Sequence, residues 1–194
     1  QAIGSHDPAK RPRIAFIGDK DRRPRVEFVP AHRQHSLFAN LSIAENIGSR
    51  LTREIIGAAA IVSTSRLSAV AQQARAMLNI KLGAFYDSIT TLSGGNQQKV
   101  AIAAAMARNP DVLVLEEPTR GVDIGSRTEI YRILAECAAA GRVVCLYCTE
   151  VVEVFSAAHR AILFRDGAVS AHFDAADFPD VQELSRRIVE SEWN

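Results

Sequence analysis

The chain has 194 residues, 47% of them hydrophobic and 23% charged, a composition typical of a globular protein with its own core. A formal net charge of +1 gives no overall field that would attract nucleic acid or anionic lipid. No apolar run reaches the roughly 20 residues of a membrane-spanning helix, and we expect no signal peptide. Membrane association is therefore expected only through another subunit.

The first half of the chain predicts two short strands followed by helices. The apolar segments Arg13–Gly18 and Val26–Val29 are predicted strands. Ser42, with a glutamate three residues later, is typical of a helix N-cap with a capping box. Apolar side chains between Ser65 and Leu78 recur at helical spacing, so the stretch from about Leu41 to Ile89 is predicted to be mostly helical.

The second half alternates between helices and apolar strands. A helix is predicted from Gly95 to about Arg108, and another from Gly125 to Ala140. The runs Val112–Leu115 and Val143–Cys148 are continuously apolar, so we expect strands buried on both faces of a parallel sheet. The remaining predicted elements are a helix at Val151–Ala158, strands at Arg160–Phe164 and Ala168–Phe173 joined by an Asp166–Gly167 turn, and a helix at Val181–Glu190.

The three cysteines do not indicate a disulfide framework or a metal site. Cys145 and Cys148 are three residues apart in a predicted strand, so their side chains would point to opposite faces and could not chelate one ion. We expect these two and Cys137 to be small core residues.

The first segment that carries chemistry is Leu92-Ser-Gly-Gly-Asn-Gln-Gln-Lys-Val100. Two glycines allow a close approach of the backbone to a ligand, and the free amides at a helix N-terminus favour an anion. Ser93 adds a hydroxyl.

The second segment is the strand Val112–Leu115, which runs directly into Glu116 and Glu117. Carboxylates at the carboxyl end of a buried parallel strand are typical of Mg²⁺ binding or water activation in nucleotide hydrolases.

Together, the two segments resemble the signature motif, and the Walker B strand with its D-loop, of ATP-binding-cassette (ABC) proteins. The NQQK continuation and the PTRGVD form are similar to the ATPases of ribose, galactose and xylose importers. This resemblance implies an α/β fold, the P-loop-NTPase-like ABC core with a mainly parallel sheet and a helical subdomain. Residues 1–194 would form one partial nucleotide-binding domain, with a helical lobe at about 41–108, a sheet core at about 109–175 and a C-terminal helix at 176–194.

The chain departs from the family pattern at several positions. No G-x-x-x-x-G-K-[ST] motif occurs, so we expect the domain to lack its Walker A segment. Glu116 stands where an aspartate usually organises Mg²⁺, and its extra methylene would move the carboxylate about 1.5 Å further out. Ala31 occupies the lid position of a glutamine. Glu150 occupies the switch position, where an ionised carboxylate would repel a γ-phosphate.

The resemblance implies that the chain is the second, degenerate copy of two nucleotide-binding domains, which are fused in one polypeptide and pair head to tail. Ser93, Gly94, Gly95 and Gln97 would close in trans over an ATP bound by the partner domain. Asp123 would belong to the D-loop at that interface. Glu117 retains the position of the catalytic base, and Glu116 would be a weak Mg²⁺ ligand. The isolated chain is expected to be inactive.

The implied protein is an ATP-hydrolysing monosaccharide transporter on the cytoplasmic side of the inner membrane. Its cofactors would be ATP and Mg²⁺, and its partners a second nucleotide-binding domain, the permease subunits and, indirectly, a periplasmic sugar-binding protein. No nucleic acid is expected as a partner. Coupling to the permease would lie at about Ala31–Ser65, where Leu37, Phe38, Leu41 and Ile43 form either core or an exposed docking patch.

Two alternative functions stay open at this point. A soluble ABC-type ATPase acting on ribosomes or DNA would draw support from the basic N-terminal stretch. A nucleotide-free interaction domain would be compatible with the missing phosphate loop. The sequence does not identify the sugar.

Overall fold

The computed structural model describes residues 23–51, 55–56 and 62–192. The predicted strand at Arg13–Gly18 lies outside these residues. Strand β1 is Val26–Val29, and helices α1 and α2 are Ile43–Gly48 and Thr64–Leu78. The other elements are helix α3 (Gly94–Met106), strand β2 (Val112–Glu116), helix α4 (Ile124–Ala139), strand β3 (Val143–Tyr147), helix α5 (Val151–Ala157), strand β4 (Arg160–Arg165), strand β5 (Ala168–Asp174) and helix α6 (Val181–Glu192).

Strands β1, β2 and β3 form a parallel sheet in that spatial order. Val29 pairs with Leu115, and Leu115 pairs with Leu146, so the carboxyl ends of the three strands lie at one edge. The predicted hairpin is confirmed, with Asp166 and Gly167 both at positive φ, but β4 and β5 form a separate antiparallel sheet. In the described chain, the parallel sheet therefore ends at β3.

The expectation that β2 and β3 are buried on both faces was wrong for the described chain. Leu113 and Leu115 are fully buried, whereas Val143 and Tyr147 on β3 are 55% and 58% exposed. Side chains alternate between the two faces of a strand, and α3 and α4 contribute to the core on one face only. The expectation of core cysteines is confirmed for Cys137, which is buried, but it is wrong for Cys145, which is exposed, and Cys148 is only half-buried.

Helix α1 begins as its sequence predicts. The Ser42 hydroxyl accepts a hydrogen bond from the Glu45 amide, and the Glu45 carboxylate accepts one from the Ser42 amide. This capping box satisfies two amides that have no partner within the helix. The Ser42 hydroxyl also donates a hydrogen bond of 2.6 Å to the Glu45 carboxylate, and this bond, together with the one from the Ser42 amide, holds the pKa of Glu45 below its usual value.

Helix α3 is buried along most of its length. Its residues from Val100 to Met106 are all buried, and so is Lys99, with 1% of its surface exposed. The Lys99 ammonium donates to the Glu129 carboxylate on α4 and to the Asn79 carbonyl at the end of α2. One buried cation therefore joins three helices, and this contact lowers the pKa of Glu129.

Replacing Lys99 with methionine tests the contribution of this ion pair to stability. Methionine keeps much of the apolar stem but removes the ammonium, so the Asn79 carbonyl loses its donor from Lys99 and Glu129 keeps a hydrogen bond of 3.1 Å from the Asn79 side chain. Removing one partner of a buried pair costs about 3–5 kcal/mol, and we expect about 3 kcal/mol because solvent can reach a partly exposed Glu129. Denaturant titration of the free energy of unfolding measures the loss.

Arg132→Met on α4 is the matched control. Arg132 pairs with Glu136 on the exposed face of the same helix, and such pairs contribute about 0.5 kcal/mol. Similar losses in the two variants would contradict a special role for Lys99.

Candidate functional site

The glycine turn predicted from the sequence forms the N-terminus of helix α3. Ser93 is the N-cap residue with extended backbone, it is exposed, and its side chain caps none of the helix amides. The amides of the first turn are consequently left uncapped by a side chain. Free amides at a helix N-terminus attract an anion, so this end of α3 has the chemistry of a phosphate contact.

Gly95 has no space for a side chain. A Cβ atom there would lie 2.4 Å from the Ser126 hydroxyl oxygen and 3.2 Å from an Asp123 carboxylate oxygen. Asp123 is the N-cap of α4 and accepts a hydrogen bond of 2.9 Å from the Ser126 amide, which lowers its pKa. The predicted signature turn and the predicted D-loop are therefore in direct contact.

A cation lies on the other side of the turn. The Arg33 guanidinium packs against Gly94, with its nitrogens and central carbon 3.3–3.4 Å from the position of a Cβ. Within the described residues, this guanidinium has no hydrogen bond or ion pair. A cation beside a helix N-terminus is unfavourable unless an anion neutralises both, which adds to the case for an anion here. Sequence reasoning missed Arg33, because it lies about 60 positions before the turn and in no motif.

Gln97 has its side-chain amide inside the loop. Its Nε2 donates to the carbonyl oxygens of Ile89 at 3.3 Å and of Leu92 at 3.0 Å. These bonds fix the turn that precedes Ser93. Among the described contacts, Gln97 therefore supports the site rather than extending into it.

The carboxylates at the end of β2 are bound by backbone amides of the chain itself. Glu116 accepts a hydrogen bond of 3.2 Å from the amide of Ala31, just beyond the end of β1. Within the described residues, no three histidine, cysteine, aspartate or glutamate side chains are grouped so that they could hold a metal ion. One oxygen of the Glu116 carboxylate is therefore already occupied by an N–H donor of the chain itself.

Glu117 is held in an unusual conformation. Its φ of 45° lies in the left-handed region, which is uncommon for a residue with a side chain and is often found at functional sites. Its carboxylate accepts a hydrogen bond of 3.0 Å from the Thr149 amide beyond β3. Both β2 carboxylates therefore connect neighbouring strand ends.

Glu150 at the predicted switch position is exposed and lies 3.9 Å from Arg127. A second carboxylate, Glu153 on α5, is buried. It accepts a hydrogen bond from the Thr119 hydroxyl and lies 3.5 Å from the Arg127 guanidinium. Thr119 belongs to the segment that runs from β2 to Asp123, so this cluster joins the D-loop to α5. No periodicity or motif in the sequence points to Glu153.

The cluster also changes the acidity of two nearby groups. Burial, together with the charges of Glu153 and Glu117, raises the pKa of the Cys148 thiol to about 12. Burial likewise raises the pKa of Tyr131, whose hydroxyl lies 3.1 Å from that of Thr119. Both groups remain protonated at neutral pH, and Cys148 does not supply a thiolate nucleophile.

The loop before α1 presents an aromatic side chain to solvent. Phe38 is 53% exposed, whereas Ile43 is completely buried. Buried Asn46 holds this loop, because its amide group accepts from the Phe38 amide at 2.7 Å and donates to the carbonyls of Phe38, Leu41 and Ser42. The loop that exposes Phe38 is thus held by four hydrogen bonds of the Asn46 side chain.

Comparisons with known proteins agree with these features. Residues 6–120 match the family model described as ABC transporter. The chain is 38% identical over 153 residues to ribose import ATP-binding protein RbsA 2 of Rubrobacter xylanophilus, covering 76% of this chain and 28% of that protein. It is 34% identical over 144 residues to RbsA of Ruegeria sp., covering 74% of this chain and 28% of that protein. The chain thus spans well under a third of the length of these two relatives.

Solved structures have the same fold. The dimeric ATP-binding cassette MJ0796 bound to ADP and Pi superposes with a TM-score of 0.65 at 25% identity, covering 82% of this chain and 68% of that one. The structure of cbiO1 from Clostridium perfringens superposes with a TM-score of 0.65 at 19% identity, covering 84% and 62%. In the described part of this chain, no helix is long and apolar enough to cross a bilayer. The chain belongs to the ABC transporter family.

Proposed function

We propose that this chain is the second, degenerate nucleotide-binding domain of a monosaccharide importer and contributes its signature turn to an ATP held by a partner domain. The observation that supports this most directly is the contrast between its two sets of site residues. Ser93 and the first turn of α3 are open to a ligand, with Arg33 alongside. Glu116 and Glu117 are bound to amides of their own chain.

The mechanism follows from this contrast. The α3 amides, the Ser93 hydroxyl and the Arg33 guanidinium would stabilise the terminal phosphate of the partner's nucleotide, where negative charge is concentrated during hydrolysis. Magnesium, which the partner would bring with that nucleotide, neutralises phosphate charge. Contact at Gly95 would pass closure of the site to the D-loop and, through Thr119 and Glu153, to α5.

The whole importer would lie on the cytoplasmic side of the membrane and act through permease subunits, with a periplasmic sugar-binding protein as an indirect partner. The names of the RbsA relatives favour a monosaccharide such as ribose as its cargo. We further propose the division into a helical lobe at 41–108, a sheet core at 109–175 and a C-terminal helix at 176–194. The alternative functions on ribosomes or DNA gain no support from these relatives.

The isolated 194-residue chain should bind Mg-ATP weakly. It has no G-x-x-x-x-G-K-[ST] motif, and that loop supplies most phosphate contacts in this class of protein. Titration calorimetry should give a dissociation constant at or above the high-micromolar range, against tight binding by the intact polypeptide. Saturable low-micromolar binding to the isolated chain would reveal a phosphate cradle of its own.

A second test compares the two candidate sites within the intact importer. Ser93→Arg fills the space above the α3 amides and should lower the steady-state ATPase rate by roughly 100-fold, as expected when a transition-state donor is lost. Glu116→Asp combined with Glu150→His, which restores the family residues, should change the rate much less. Thr90→Arg, at an exposed residue near the turn, controls for added charge and bulk. A larger effect of the restorations would make this domain's own site the working one.

The third test concerns the permease. Phe38→Asp places a charge on the exposed loop, and loss of an aromatic anchor worth about 2 kcal/mol should lower sugar uptake roughly tenfold or more while ATP hydrolysis continues. Phe164→Asp is the matched control, since Phe164 is 63% exposed on the β4–β5 hairpin. Uptake and hydrolysis are measured in proteoliposomes. Unchanged uptake with Phe38→Asp, or equal losses in both variants, would remove Phe38 from the coupling surface.

A further inference from the structure

Asn96, in the first turn of α3, connects the signature turn to the loop that follows α2. Its Oδ1 accepts a hydrogen bond of 3.0 Å from the backbone amide of Lys81. Its Nδ2 donates a hydrogen bond of 3.0 Å to the Ser93 hydroxyl oxygen. Neither the composition of the motif nor the helical periodicity predicts this bridge, because Lys81 lies 15 residues earlier.

The bridge has a fixed direction. A backbone amide can only donate, so the side-chain oxygen of Asn96 must face Lys81 and the side-chain nitrogen must face Ser93. That nitrogen can also only donate, so the Ser93 oxygen must accept. The hydroxyl hydrogen of Ser93 is therefore directed away from Asn96.

Nothing in the described chain takes up this hydrogen. The Ser93 hydroxyl has no other hydrogen bond among the described residues, and it does not cap α3. Ser93 is exposed and precedes the first-turn amides, which favour an acceptor, and Arg33 packs against the neighbouring Gly94. The Ser93 hydroxyl is thus available as a donor, like the first-turn amides beside it.

We propose that Asn96 is a positioning residue that holds the Ser93 hydroxyl as a hydrogen-bond donor toward the terminal phosphate of the nucleotide in the partner domain. This inference rests on the proposed function, because it requires a phosphate at Ser93. Asn96 does not itself touch the phosphate in this account. It sets which side of the hydroxyl, hydrogen or lone pair, faces the ligand.

Asn96→Asp reverses the bridge with almost no change of shape. One carboxylate oxygen still accepts from the Lys81 amide, but the other can only accept from Ser93, so the hydroxyl hydrogen turns inward and a lone pair faces the phosphate. Losing a hydrogen bond to a charged group is expected to lower kcat/KM for ATP about 10- to 100-fold. Asn96→Ala frees the hydroxyl to rotate, so its loss should be smaller.

Gln72→Glu is the control for added charge. Gln72 is exposed and lines the same surface cleft as Asn96 and Ser93, and the change is again from an amide to a carboxylate of equal size. A general electrostatic effect on nucleotide would appear in this variant too. We expect Gln72→Glu to change kcat/KM by less than about threefold, because interactions between exposed charges are weak.

The deciding experiment is a double-mutant cycle with Ser93→Ala in the intact importer, with kcat, KM and melting temperature measured for each variant. If Asn96 acts through Ser93, Asn96→Asp should add little to Ser93→Ala, and its melting temperature should stay near that of the parent. Equal losses in both Ser93 backgrounds, or Asn96→Ala more damaging than Asn96→Asp, would overturn the inference. Should the aspartate variant not fold, Asn96→Ala in the two backgrounds completes the cycle.

The outcomes for Ser93 separate this inference from the proposed function. If Ser93→Ala and Ser93→Arg leave ATP hydrolysis unchanged, no phosphate is bound at the turn and the proposed function fails with the inference. If they lower hydrolysis while the effect of Asn96→Asp is independent of them, only the role of Asn96 is rejected.

Discussion

Helix α3 is surrounded by the core along most of its length, and its burial fixes where its N-terminus points. Its last turns have no exposed side chain between Val100 and Met106, and Lys99 ties it to α2 and α4 through a buried ammonium. At its beginning, Gly95 lies against Ser126 with no space for a methyl group. A helix held in this way cannot turn its free amides elsewhere, so the position of the signature turn depends on the core rather than on the loop itself.

The polar residues fall into two groups, which differ in whether their hydrogen-bonding atoms are free to contact a ligand. At the turn, the amides, Ser93 and Arg33 all favour an anion, and the nearby Asp123 carboxylate accepts its hydrogen bond from the Ser126 amide instead. At the sheet edge, Glu116 and Glu117 accept hydrogen bonds from backbone amides of the segments that follow β1 and β3. These carboxylates therefore stabilise the parallel strand ends. Such a division suits a domain that completes a partner's nucleotide site more than one that operates its own.

Local patterns predicted much of the fold and part of the site. The capping box at Ser42, the strand at Val26–Val29 and the hairpin turn at Asp166 depend on neighbouring residues, and each was confirmed. The burial of β3 was not predictable, since an apolar run does not show how many faces other elements cover. Contacts between distant segments, such as Arg33 on Gly94 or Thr119 with Glu153, leave no local signal for the same reason.

We propose that this chain completes a nucleotide site whose phosphates are held by another domain. A cryo-EM structure of the intact importer with a non-hydrolysable ATP analogue would show where the nucleotide lies. We expect a terminal phosphate oxygen at hydrogen-bond distance, about 3 Å, from the Ser93 hydroxyl, with the rest of the nucleotide on the partner domain. Nucleotide bound instead at Glu116 and Glu117 of this chain, with no density above Ser93, would contradict it.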